Sequence, residues 1–308
     1  MFDRNLVINF HAVEDPVWME KILLFLDRNY KLISIEELDE WFKGKAKLTN
    51  SCLLTFDDGH RTFFSNVFPL LTKYRIPACL FVSPDIITKQ ENFWFRKVQY
   101  YFSPDFVKHL QSQNGFSIEK NSLYECRNKM KSLKYVEISE ILRTYEDKFH
   151  PALMEYENIT QEQLKEIHKS GLVNIGAHTI NHPILANESY ETSKTEIVES
   201  IEKLNELLNY QSFSFAYPNG IPELDFGSRE QAFLKMMGIR YAFSTRNMFL
   251  SKDIDKYSIP RTGLVDETIG KAKLKLVLGP AWDFFKNIGK VGETEISIRQ
   301  NIVQQRKG

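Results

Sequence analysis

The chain has 308 residues, 43% of them hydrophobic, with 40 basic and 40 acidic side chains and a formal net charge of zero. That length and apolar content suffice for one large core, at a size where α/β barrels form a single domain. The balanced charge gives no electrostatic footprint for nucleic acid or for a strongly anionic surface. Three cysteines occur, Cys52, Cys79 and Cys126, without metal-ligand spacing. Cys52 and Cys79 fall in apolar runs and read as buried free thiols of a reducing compartment. No run approaches the length that spans a bilayer, and the N-terminal residues show no basic region followed by an apolar stretch and a cleavage site. The expectation from these features is a cytoplasmic protein, with the inner face of the membrane as a further option.

Strand and helix patterns alternate along the chain. Leu6 to Phe10 reads as a strand, Pro16 to Asn29 as an amphipathic helix, and Ile35 to Lys43 as a second helix capped by Ser34, with Glu36 and Glu37 in its first turn. A strand over Cys52 to Phe56, a helix over Val67 to Tyr74 and a strand over Ala78 to Val82 follow. From Pro84 to Asn158 the alternation breaks into an aromatic stretch, Phe93-Trp94-Phe95, and charged helical segments over Glu125 to Lys134 and Glu137 to Asp147. This region reads as a helical insertion over the mouth of the fold, its aromatics serving as local core or as a stacking surface for a ring-bearing ligand. A helix over Gln161 to Ser170, entered from Thr160, precedes a strand over Val173 to Ala177. Ser193 to Leu208 places Ile197, Ile201, Leu204 and Leu208 on one helical face. Strands over Ser212 to Ala216 and Tyr241 to Ser244, on either side of a helix over Glu230 to Met237, complete the set. Such alternation implies parallel strands with helical crossovers, and so an α/β fold, a distorted (β/α) barrel with its site at the C-terminal strand ends. The barrel takes residues 1–265, with the insertion at about 85–158. Residues 266–308 form an extension, in which Lys271 to Lys290 is amphipathic and Gly292 to Gly308 is polar and loosely held. The amphipathic segment either packs on its own barrel or docks on a membrane surface or partner protein.

Two strand ends carry the chemistry. Leu53-Leu54-Thr55-Phe56 runs into Asp57-Asp58-Gly59, and Val173 to Ala177 runs into His178-Thr179-Ile180-Asn181-His182-Pro183. A catalytic divalent ion is commonly held by three protein ligands, often two His and a carboxylate, with positions left open for water and substrate. Asp58, His178 and His182 supply that set. Asp57 is then left as a general base for a metal-bound water. Taken singly, an Asp-Asp-Gly is an ordinary turn and a His-x-x-x-His is incidental; their occurrence at two strand ends of one parallel fold favours a site.

Leu54 to Gly59 resembles the first motif of the polysaccharide deacetylases (carbohydrate esterase family 4, the NodB-like domain), and Gly176 to Pro183 resembles the second. Val7-Ile8-Asn9-Phe10-His11-Ala12-Val13 is similar to the Tyr-His-x-Val opening of a circularly permuted subgroup, with Phe10 where Tyr is usual. Phe215-Ala216-Tyr217-Pro218-Asn219-Gly220 resembles that subgroup's third motif, and Ser258-Ile259-Pro260-Arg261 its closing strand. The resemblance spans roughly residues 5 to 265. It implies Asp57 as general base, Asp58, His178 and His182 as metal ligands, His11 as general acid, and the backbone N–H of Tyr217 as an oxyanion donor. The Arg that usually orients the base is missing from the third motif, so Arg261 is assigned to that task. The late Leu-x-His motif is missing too, since none of the seven histidines lies beyond His182.

The function expected is a metal-dependent deacetylase that releases acetate from N-acetylated amino sugars of a polysaccharide or its precursor. Zinc suits the ligand set first, with cobalt, nickel, manganese or iron as alternatives. O-deacetylation of the same glycans, a non-catalytic glycan-binding barrel and a ferrous oxygenase stay open. A pure binding protein would have no use for Asp57, and a ferrous oxygenase usually sits on a β-sandwich.

Overall fold

The computed structural model describes residues 4–114, 116–118, 122–265, 268–279, 281, 282, 295 and 299. Eight parallel strands form the sheet: β1 (Leu6–Phe10), β2 (Lys31–Ile33), β3 (Ser51–Phe56), β4 (Ala78–Val82), β5 (Val173–Ala177), β6 (Ser214–Ala216), β7 (Tyr241–Phe243) and β8 (Thr262–Gly263). Their spatial order is β7-β6-β5-β4-β3-β1-β8, with β2 paired to the first half of β3. The ring closes through residues 259–263: Phe243 bridges Ile259 in parallel, while Thr262 and Gly263 pair with Ile8 and Asn9 of β1. The expected barrel is therefore present, but its closing strand falls at Thr262–Gly263, just after the expected Ser258–Arg261, of which Ile259 alone bridges to a strand.

The helices start where local chemistry satisfies their free N–H groups. Asp15 accepts from Val17 and Trp18 at the head of α1 (Pro16–Asn29), where Pro16 has no N–H to lose. Capping boxes open α2 (Ile35–Phe42) through Ser34 and Glu37. The helix expected over Val67 to Tyr74 is longer at its start, a π-helical turn at Phe63–Val67 running into α3 (Phe68–Tyr74). The insertion holds α4 (Pro84–Lys89), α5 (Trp94–Tyr101), α6 (Pro104–Asn114), α7 (Leu123–Met130) and α8 (Tyr135–Phe149), four of which share a core of their own around Val98, Phe106, Leu110, Met130 and Ile138. Another capping box, Thr160 with Gln163, opens α9 (Gln161–Lys169), which is followed by α10 (Tyr190–Leu208), α11 (Ser228–Met236) and α12 (Ile269–Leu278). No helix among the described residues is long and apolar enough to cross a membrane.

Strand alternation sorts the core into two layers. Leu6, Ile8, Phe10, Cys52, Leu54, Phe56, Leu80, Val82, Ile175 and Phe215 face outward into the layer under the helices. Val7, Leu53, Cys79, Phe81, Ala216, Tyr241 and Phe243 face inward, and Ile35, Leu38 and Trp41 of α2 pack against them. Asp39 of α2 accepts from Tyr241 Oη (2.6 Å) and from Arg240 (2.7 Å), which ties this helix to the start of β7. In the extension, Ala272 and Leu276 of α12 bury in the outer layer while Leu274 and Val277 are exposed. Beyond Trp282 the expected amphipathic segment, Phe284, Phe285 and Lys290 included, lies outside the described residues, as does Gly292 to Gly308 apart from Glu295 and Arg299. Arg299 departs from the expected loose hold: it is buried and donates to Asp225 at 2.5 Å.

Candidate active site

Inward parity carries one polar side chain after another to the C-terminal end of the barrel. On β1, Val7 and Asn9 face inward and His11 follows; on β3, Leu53 and Thr55 lead to Asp57; on β5, Asn174 and Gly176 lead to His178. Gly176 is required by packing, since a Cβ there would lie 2.5 Å from the Phe81 ring and 2.6 Å from Ser214 Oγ.

The three expected metal ligands converge. Asp58 Oδ1 lies 3.5 Å from His178 Nε2 and 3.6 Å from His182 Nε2, and a ligand atom from each of the three lies within 4.8 Å of the others. Four-coordinate zinc with bonds near 2.1 Å sets its ligand atoms about 3.4 Å apart, so the spacing fits an ion. Asp58 Oδ1 is also buried with no hydrogen-bond partner among the described residues, a costly arrangement for a carboxylate unless a cation completes it. Burial opposes ionisation of Asp58, but His178, His182 and His11 outweigh it and hold its pKa below the usual carboxylate range. Burial and the neighbouring His178 push His182 down to about 3, leaving a neutral imidazole. Burial also acts against a charge on His178, yet Asp58 and Asp57 raise its pKa overall, so this pocket attracts positive charge. His178 Nδ1 faces the Ala216 carbonyl oxygen at 2.7 Å, which orients the ring.

The two loops that bear the ligands, one after β3 and one after β5, are strained. Asp58, Thr179 and His182 have φ values of 71°, 63° and 58°, the left-handed region that costs a residue other than glycine about 1–3 kcal/mol. Thr179 Oγ1 donates to the His178 carbonyl (2.6 Å) and accepts the His182 N–H (3.0 Å). Ser83 donates to the same carbonyl at 2.9 Å. From the insertion, Trp94 Nε1 donates to the His182 carbonyl at 2.9 Å, and the rings of Phe93 and Phe95 stand 5.5 Å and 4.9 Å from the imidazole. Phe93 and Trp94 are buried, so these two aromatics serve as local core against a ligand and are closed to sugar.

Asp57 is held on several sides. Arg261 Nη1 and Nη2 donate to its two oxygens at 2.8 and 2.9 Å, and Arg261 Nε donates to the Ser244 carbonyl. Both side chains are almost wholly buried, with the guanidinium above the Phe81 and Phe243 rings. Asn9 Nδ2 donates to Asp57 Oδ2 at 3.0 Å. Burial works to raise the Asp57 pKa, but Arg261, His178 and His11 prevail and lower it, so the group is a carboxylate at neutral pH. His11 Nε2 stands 4.0 Å from Asp57 Oδ2, with its side chain half exposed at the mouth.

The structure thus brings together Asp57, Asp58, His178, His182, His11 and Arg261. Tyr217 requires a correction. Its N–H donates to the Phe243 carbonyl at 3.2 Å in the β6–β7 ladder, so that donor is committed to the sheet, and its ring faces the outer layer, stacked on Phe226. Asn9 was missed from sequence although a signal existed: it is the only polar residue in an otherwise apolar strand.

Comparison with known proteins agrees with this geometry. Poly-beta-1,6-N-acetyl-D-glucosamine N-deacetylase of Staphylococcus aureus is 22% identical over 275 residues, covering 86% of this chain and 72% of that protein. The protein of the same name from Staphylococcus epidermidis is 22% identical over 263 residues, 82% of this chain and 68% of its own. Among solved structures, IcaB from Ammonifex degensii superposes with a TM-score of 0.59 at 17% identity, covering 89% of this chain and 97% of that one. The Streptococcus pyogenes deacetylase PplD, in complex with acetate, gives 0.58 at 17%, covering 88% and 96%. These two likenesses show the shared fold. The family model for polysaccharide deacetylase matches residues 44–242, more than half of the chain and both strand ends of the Asp-His-His cluster, and the chain belongs to that family.

Proposed function

We propose that the protein removes acetyl groups from the N-acetylglucosamine units of a polysaccharide, with Asp58, His178 and His182 holding a divalent ion, zinc by preference. The observation that carries this reading is the convergence of one carboxylate and two imidazoles beside a second carboxylate that is fixed by Arg261. The names of the staphylococcal relatives support an N-acetylglucosamine polymer as substrate. Two nitrogens and one oxygen are a donor set that zinc favours.

A divalent ion in such a site lowers the pKa of a bound water and polarises a carbonyl oxygen. Asp57 is the proton acceptor: ionised, and aimed by its bidentate contact with Arg261 and by Asn9. His11 sits on the solvent side of Asp57 and donates a proton to the departing amine, so amide and water become free amine and acetate. Because the Tyr217 N–H is held in the sheet, its backbone has no part in stabilising the oxyanion.

The test is acetate release from oligomers of β-1,6-linked N-acetylglucosamine by zinc-loaded protein. Wild type should turn over, chelation should stop it and zinc should restore it, while Asp57→Asn should be inactive with zinc still bound. Stoichiometric zinc without acetate release would overturn the reading.

A further inference from the structure

We propose that Glu196 is a positioning residue that holds the loop Thr179–His182 in its left-handed conformation and thereby sets the affinity of the site for its metal ion. The inference rests on the metal-dependent reading above and adds to it a residue on the α-helix that follows the ligand loop.

Two of the four loop residues, Thr179 and His182, sit at positive φ, and Thr179 is β-branched, so the loop does not hold this shape by intrinsic preference. Its internal hydrogen bonds run through Thr179 alone. The external hold comes from α10, anchored in the outer core by Ile197, Ile201 and Leu204. From it Glu196, 4% exposed, reaches the loop: Oε2 accepts the N–H groups of Ile180 (3.0 Å) and Asn181 (2.9 Å), and Oε1 accepts Asn181 Nδ2 (2.7 Å). These three bonds all end on the residues between the two histidines. A buried carboxylate is costly to keep, and the hydrogen bonds recorded for this one go to the ligand loop. Trp94 grips the other end through the His182 carbonyl, so the loop is pinned between helix α10 and the insertion. Without Glu196, the buried N–H of Ile180 and the partly buried N–H of Asn181 lose their acceptor together, and the strained segment relaxes toward ordinary backbone angles, drawing the His182 imidazole out of register with Asp58 and His178.

The experiment measures zinc affinity of the apoprotein by competition with a chromophoric chelator, together with the visible spectrum of the cobalt-substituted protein and the thermal midpoint without metal. Glu196→Ala should bind zinc about 10–100-fold more weakly, the range seen when support for a ligand is removed, and shift the cobalt spectrum while the metal-free protein stays folded. Glu196→Gln should recover most of the affinity, because its amide oxygen still accepts both backbone N–H groups once Asn181 turns its own amide over. Should the alanine variant fail to fold, Glu196→Asp keeps the charge but withdraws the oxygens by one methylene, and it should show the same loss. Wild-type affinity and spectrum in a folded Glu196→Ala or Glu196→Asp would overturn the proposal. A wild type that binds no zinc would instead overturn the metal-dependent reading itself.

Discussion

Replacing Arg261 with Met tests the most buried part of the site. The substitution keeps most of the side-chain volume but removes both donors to Asp57 and the donor to Ser244. With Arg261 fully buried and Asp57 only 3% exposed, solvent cannot take over the lost contacts. Removing one partner of such a pair costs about 3–5 kcal/mol, because the other is left charged and unpaired. For a chain of this size that corresponds to a fall in melting temperature of about 5–8 °C. The cause is isolated by the double variant Asp57→Asn with Arg261→Met, in which no carboxylate is stranded, and about 2 kcal/mol or more should return. Urea unfolding of wild type, both single variants and the double variant gives the cycle. A single Met variant as stable as wild type, or a double variant no more stable than it, would refute the account of Arg261 as the partner that keeps Asp57 ionised in the interior.

Three further outcomes follow from the geometry. His11→Ala should lower kcat by about 10²–10⁴-fold with zinc content unchanged, since His11 stands beside Asp57 and outside the ligand cluster; undiminished turnover would remove it from the acid role. Gly176→Ala should cost about 1–3 kcal/mol in denaturant unfolding by driving a methyl into Phe81 and Ser214, and an unchanged midpoint would contradict the interior packing. For Asp39, burial opposes ionisation, but Lys43, Tyr241 and Arg240 lower its pKa on balance. Its folded value is thus below the unfolded one, so its contribution is full above about pH 4 and is lost as pH falls through the folded value. Asp39→Asn should therefore cost about 1 kcal/mol at pH 7, discounted for the partly exposed Lys43 and Arg240, and progressively less below pH 4; a gap that widened in acid would refute the assignment.

Much of this was legible from sequence for identifiable reasons. Ser51–Phe56 and Ala78–Val82 are nearly unbroken buried runs, and Leu6–Phe10 and Val173–Ala177 are apolar apart from Asn9, Asn174 and Gly176; the ends of the first, third and fifth strands carry the site. β2 escaped notice because Lys31–Ile33 has three residues and buries only Ile33 fully. Glu196 was invisible because two of its three hydrogen bonds come from backbone N–H groups, which every residue but proline possesses. Tyr217 was assigned by likeness of motif; which N–H remains free depends on how β6 pairs with β7, and that pairing leaves no local trace. Arg261 was inferred from a missing partner, and ring closure brings it across some 200 positions to Asp57.

That closure also governs when the site can come into being. The first strand cannot acquire its second neighbour until residues 262 and 263 have been made, so the barrel is a high-contact-order structure that completes late. On a ribosome, Asp57 emerges long before its counter-charge. A chain halted before residue 261 holds the whole Asp-His-His cluster in its sequence yet has no guanidinium to neutralise the base, so the interior carboxylate stays uncompensated until nearly the whole barrel has been made.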